Sequence, residues 1–140
     1  MSLTLEIAAR IVDDALAKGR ALKLAPLAVA LLDARGVVKC LKAEDNTSLL
    51  RTEIAAAKAW GALGMGFGTR ELAGRAAKAP GFFGALQALS GRMVPAPGGV
   101  LIRAADRTLL GAIGISGDNS DNDEACALWA IEQAGLLADP

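Results

Sequence analysis

Residues 95–124, PAPGGVLIRAADRTLLGAIGISGDNSDNDE, set two glycine-rich turns and a cluster of acids around one β-hairpin. Pro95 and Pro97 stiffen the chain, and Gly98-Gly99 release it just before Val100–Ala104, an apolar run that reads as a strand. Thr108–Ser116 is the returning strand, with a turn at Ala105-Asp106-Arg107. It stops at Gly117-Asp118-Asn119, and a helix begins near Ser120 or Asp121, where Asp121 and Glu124 have capping-box-like spacing. That helix ends at Gly135, with Ala125, Leu128 and Ile131 on its expected buried side. A strand that turns sharply into a helix gathers backbone N–H groups and polar side chains in one place, which suits a ligand.

The rest of the chain follows the same grammar. Ser2 or Thr4 caps a first helix with Leu5, Ala8, Val12 and Ala15 inside and Glu6/Arg10 and Asp14/Lys18 paired outside. Leu27–Leu32 and Val37–Leu41 form a first hairpin about Asp33-Ala34-Arg35-Gly36. A polar stretch, Lys42 to Ser48, leads into a helix over Leu49–Leu63, capped by Thr47 or Ser48, with Leu50, Ile54, Ala57 and Gly61 on its inner face. Gly64–Gly68 carries three glycines in five residues, a density that predicts an interruption. Short helices over Thr69–Lys78 and from Pro80 or Gly81 to Ser90 follow, and Met93-Val94 is extended. The order is helix, hairpin, helices, hairpin, helix. Strands joined as hairpins cannot form a doubly wound parallel sheet, so the fold class is α+β, helices layered on an antiparallel sheet.

At 140 residues the chain fits one domain, residues 1–140. Apolar residues make up 53% against 21% charged, which excludes disorder and allows a core plus a subunit interface. Fifteen basic residues balance fifteen acidic ones, so no positive field for nucleic acid or an anionic membrane surface is expected. There is no histidine, which removes the usual acid/base at neutral pH and the commonest metal and haem ligand. Cys40 and Cys126 fit no C-x-x-C pattern and read as buried thiols of a reducing cytoplasm. Neither a leader nor a spanning segment is read from the sequence, and a cytoplasmic location is expected.

The candidate site is the junction itself: Gly98, Gly99, Ser116, Gly117, Asp118, Asp123 and Glu124, joined by Asp45, Asn46, Arg51 and Lys58 from the loop and helix after the first hairpin. Acids in a first helical turn also offset the helix dipole by roughly 0.3–1 kcal/mol each without any ligand. The acidic spacing does not match a calcium loop, and neither glycine pair sits in a phosphate-loop pattern, so no metal and no nucleotide are assigned. Trp60 and Trp129 read as core or interface anchors, and Met65 and Met93 as gap fillers.

Four segments in this order carry a family resemblance: Leu27-Ala28-Val29-Ala30-Leu31-Leu32-Asp33-Ala34-Arg35-Gly36, Ile54-Ala55-Ala56-Ala57-Lys58-Ala59, Pro97-Gly98-Gly99-Val100-Leu101-Ile102, and Gly111 to Asp118 with Asp123-Glu124. The chain resembles the haem-binding GlcG/HbpS family, which includes the C-terminal domain of PduO-type proteins. The resemblance implies a central antiparallel sheet of about five strands flanked by helices. It also implies homo-oligomers, from dimers up to octamers, and haem as the cofactor to consider. A histidine-ligated haem does not carry over. A threonine or methionine ligand, or an apolar sandwich at an interface, is what remains.

The functional expectation is a cytoplasmic, oligomeric small-molecule-binding protein. Two alternatives stay open. One is a lyase or isomerase acting on a small oxo or hydroxy acid, with Asp118 or Glu124 as base and Arg51 or Lys58 holding a carboxylate. The other is a structural assembly subunit.

Overall fold

The computed structural model describes residues 2–90 and 92–140. Helix α1, Leu5–Ala21, starts at Thr4, whose hydroxyl accepts from Ile7 N at 3.2 Å. Ala8, Ile11, Val12 and Ala15 are buried, whereas Leu5, expected inside, is exposed in the first turn. Strands β1, Ala28–Asp33, and β2, Val38–Ala43, form the first hairpin. Strand β2 therefore runs through Lys42 and Ala43, which the polar composition had placed in a loop. Backbone pairing of Val29 with Lys42 and Ala28 with Ala43 outweighs side-chain polarity there.

Helix α2 spans Leu49–Met65 and passes through Gly64 instead of breaking there. It ends at Gly66, whose φ of 83° supplies the left-handed cap that a side chain would oppose. Ser48 is its N-cap residue but makes no side-chain cap bond. Helices α3, Thr69–Lys78, and α4, Pro80–Ser90, follow, and Met93-Val94 belongs to no strand. The second hairpin is β3, Gly99–Arg103, and β4, Leu109–Ser116. Helix α5, Ser120–Gln133, leads to β5, Leu137–Asp139, a short edge strand absent from the sequence reading. Cys126, Ala127, Ala130 and Ile131 form the apolar part of its buried side. Ala125 is exposed and Leu128 only half-buried, so the inner face is rotated from the expected one.

The five strands form one antiparallel sheet in the order β2-β1-β4-β3-β5. One face carries large aliphatics, among them Val29, Leu31, Ile102, Ile113 and Ile115, packed against α1 and α5. The other face carries Ala28, Ala30, Leu32, Leu101 and Ala112 against the alanines of α2. The difference in side-chain size sets the depth of the two layers. A Cβ on Gly114 would lie 1.9 Å from Ala55 O, and one on Gly99 would lie 2.4 Å from Lys58 O, so α2 lies with its backbone on the strands.

The inner residues of α2 are accordingly Ala55, Lys58, Ala59, Gly61 and Ala62; of the expected face Gly61 is inside, and Leu50, Ile54 and Ala57 are turned outward. Small residues win the inner face because only they allow this approach. Helix α2 packs on β4, β1 and β3 and reaches little of β2. The α2 side of β2 is left bare, with Val38 and Leu41 exposed.

Candidate functional site

The strand-to-helix junction folds into a closed polar network. Lys58 is 2% exposed, and its Nζ donates to Ile115 O at 2.8 Å and to Asp123 Oδ2 at 3.3 Å. Asp123 Oδ1 accepts from Asp118 N at 3.0 Å. Burial pushes the Lys58 ammonium below its ordinary value against the opposing pull of Asp123. Burial likewise pushes the Asp123 carboxyl up. Gly98 leaves room for this pair, since a Cβ there would sit 2.9 Å from Lys58 Nζ.

Gly99 is buried beside it, its N–H donating to Thr69 Oγ1 at 2.7 Å. Ser116 is buried and its Oγ accepts from Arg51 Nη1 at 3.2 Å. Gly117 is crossed closely by Pro26 O, 2.2 Å from the position of an added Cβ.

Asp118 ties the approach to β1 to the start of α5. Its carboxylate accepts from Ala25 N at 2.9 Å, Asn122 Nδ2 at 2.8 Å and Asn119 N at 2.9 Å. Those bonds, with Ala25 first among them, hold its carboxyl below the usual range, which makes it a poor base. The cap of α5 is Asn119, whose side chain accepts from Asn122 N, in place of the expected Asp121/Glu124 box. Glu124 instead accepts from Arg70 Nε through both oxygens, at 3.1 and 3.0 Å, and Arg70 also pairs with Asp121.

The structure thus brings Arg51, Lys58, Gly98, Gly99, Ser116, Gly117, Asp118 and Asp123 together, with Glu124 on their α3 side. Asp45 and Asn46 stand apart, exposed on the Glu44–Thr47 turn at the same end of the sheet. Among the described residues, no buried side-chain nitrogen or oxygen lacks a hydrogen-bond partner.

Open space lies on the other flank of α2. A groove of about 440 Å³ runs between α2 and β2, within the usual size of small-molecule sites. Leu50, Ile54, Ala57 and Trp60 from α2 form one wall, and Leu32 and Val38 contribute from the sheet. Gly36, Glu53, Ala56, Arg92 and Val94 complete the lining. The Arg92 guanidinium lies 5.7 Å from the Trp60 ring centroid, within cation–π reach. The sequence did carry the signal for this wall, as the Leu50, Ile54, Ala57 stripe. Periodicity locates an apolar face but does not say whether it meets a core or a groove.

Two further observations bear on chemistry. Cys40 and Cys126 are free thiols, Cys126 buried and Cys40 half-buried. Among the described residues no helix is long and apolar enough to cross a membrane.

Comparison with known proteins gives a consistent picture. The crystal structure of a PduOC:heme complex superposes with a TM-score of 0.89 at 27% identity, covering 100% of both chains. A double mutant of Streptomyces reticuli HbpS superposes with a TM-score of 0.82 at 26% identity, over 95% of this chain and 87% of that one. The corrinoid adenosyltransferase PduO of Salmonella typhimurium is 31% identical over 106 residues, 76% of this chain. The match spans only 31% of that longer protein. A family model described as haem degrading protein HbpS-like matches residues 3–132. This chain belongs to the HbpS-like family.

Proposed function

We propose that this chain binds a haem-type tetrapyrrole, a flat apolar ring edged with carboxylates, in the groove between α2 and β2. It does so as a subunit of a homo-oligomer in the cytoplasm. The observation that carries the reading is the pairing of an open apolar wall, Leu50, Ile54 and Trp60, with the Arg92 guanidinium at its rim. A ring buries one face against the wall while a carboxylate meets the cation. The PduOC:heme structure, at 27% identity, supports the ligand class.

The residues present fit the ring and its carboxylates. Among the described residues, the groove offers only the Glu53 carboxylate as iron ligand, since none of its lining residues is His, Cys, Met or Tyr. Bound haem would supply redox chemistry at its iron. The chain's own residues bind and orient the ring and shield one of its faces from water.

The polar network around Lys58 and Asp123 is assigned a positioning role, because every buried polar side-chain atom there is already partnered. It fixes α2, and with it the groove wall, against β4 and α5. Self-association is supported by apolar surface beyond the groove, where Leu49 is 86% and Leu89 84% exposed. Unpaired thiols support a reducing compartment.

Haemin titration followed at the Soret band tests the reading. Saturable binding near one haem per subunit, weakened by Ile54→Glu, is the expected result. Absence of a saturable Soret change would remove it.

A further inference from the structure

We infer that the groove recognises the tetrapyrrole ring and its carboxylates and not the metal at its centre, so that metal-free porphyrin binds as well as haem. This rests on the groove reading above and goes beyond it by naming what is read. Proteins hold haem iron with His, Cys thiolate, Met or Tyr. The chain contains neither His nor Tyr, so no second copy of it can supply one either.

Among the described residues, no soft donor lines the groove. Cys40 pairs with Leu31 and packs with the cluster under α1 and α5, on the far side of the sheet. Cys126 is buried on α5, in that same cluster. Met93 stands between two groove residues, Arg92 and Val94, yet its side chain points the other way. It lines the hollow between α3 and α4 and lies against Gly61. Met65, the last residue of α2, is not part of the lining. Besides the Glu53 carboxylate, the groove presents the Trp60 indole, aliphatic side chains and a guanidinium, which are complementary to a ring and its carboxylates whatever the ring holds.

The test is a parallel titration of the whole protein with protoporphyrin IX, haemin and protoporphyrin dimethyl ester, read by absorbance and fluorescence. Dissociation constants for protoporphyrin IX and haemin within about threefold of each other are expected. The diester should bind about tenfold more weakly, and Arg92→Ala should weaken both acids by about the same factor while leaving the diester unchanged. Glu53→Gln should leave the haemin-to-porphyrin ratio where it was.

Haemin binding more than about thirtyfold tighter than the metal-free ring would overturn the inference while leaving the groove reading standing. Loss of a haemin preference in Glu53→Gln or Met93→Leu would overturn it too. Failure of both ligands to bind would overturn the groove reading itself, and this inference with it.

Discussion

Lys58 of α2 and Asp123 of α5 meet at 3.3 Å inside the protein, although their helices pack on opposite faces of the sheet. The pair closes round the end of β4, where Lys58 also takes the Ile115 carbonyl. It is the polar bolt between the two layers. Removing one partner leaves a charge stranded in a site 1–2% exposed. Lys58→Met is therefore expected to lower stability by about 3–5 kcal/mol in urea denaturation. Lys58→Met with Asp123→Leu should recover part of that loss, because the paired apolar replacement strands nothing.

Asp118 gives the stability a pH dependence of known sign. Hydrogen bonds from Ala25 N, Asn122 and Asn119 hold its folded-state carboxyl below the ordinary value. Its contribution is thus complete above the ordinary carboxylate range and is lost as pH falls through the depressed folded value. Urea midpoints at pH 7 and pH 2 check this. Asp118→Asn should lower the midpoint at pH 7, and its difference from the unsubstituted protein should shrink at pH 2.

Much of the architecture is legible in the sequence because hairpin turns and helix starts are local chemistry. Asp33–Gly36 and Ala105–Arg107 carry the two hairpin turns, and Gly117–Asn119 carries the start of α5 just as openly. Strand β5 is not legible, since three residues, Leu137–Asp139, gain their strand character only by pairing with β3.

The orientation of α2 is misread for a physical reason. Leu50 and Ile54 are among its most hydrophobic residues, yet the inner face goes to alanines because the strands beneath carry Gly99 and Gly114. Two glycines on neighbouring strands were the available signal for a close helix. The same misreading hid the groove, whose wall is that outward stripe. Of the residues grouped from the sequence, Arg51, Lys58 and those of the junction meet in one network while Asp45 and Asn46 stay apart, and the mutual satisfaction of the network is a tertiary fact.

Gly114 and Gly74 should respond in opposite directions to alanine. A Cβ on Gly114 meets backbone atoms, Ala55 O at 1.9 Å and Ala59 N at 2.8 Å, which cannot swing aside. Gly114→Ala is expected to cost at least about 3 kcal/mol or to prevent folding. Gly74, inside α3 with nothing near its Cβ position, should gain about 0.5–1 kcal/mol as alanine. Thermal unfolding of the two variants decides the matter.

The two thiols should differ sharply in reactivity. Burial pushes the Cys126 thiol up to about 11, so its thiolate is scarce at neutral pH as well as shielded. Cys40 is half-buried on edge strand β2. A disulfide reagent at pH 8 should modify one thiol per chain in the folded protein and two in denaturant. Loss of the first reaction in Cys40→Ser assigns it.

Haem placement is decided most directly by paramagnetic broadening of backbone amide signals on adding haemin. With haem in the groove, broadening centres on Leu50, Ile54 and Ala57 of α2 and on Val38 of β2. Broadening centred on Gly98, Gly99 and Ser116–Glu124, with the α2 stripe unaffected, would contradict it.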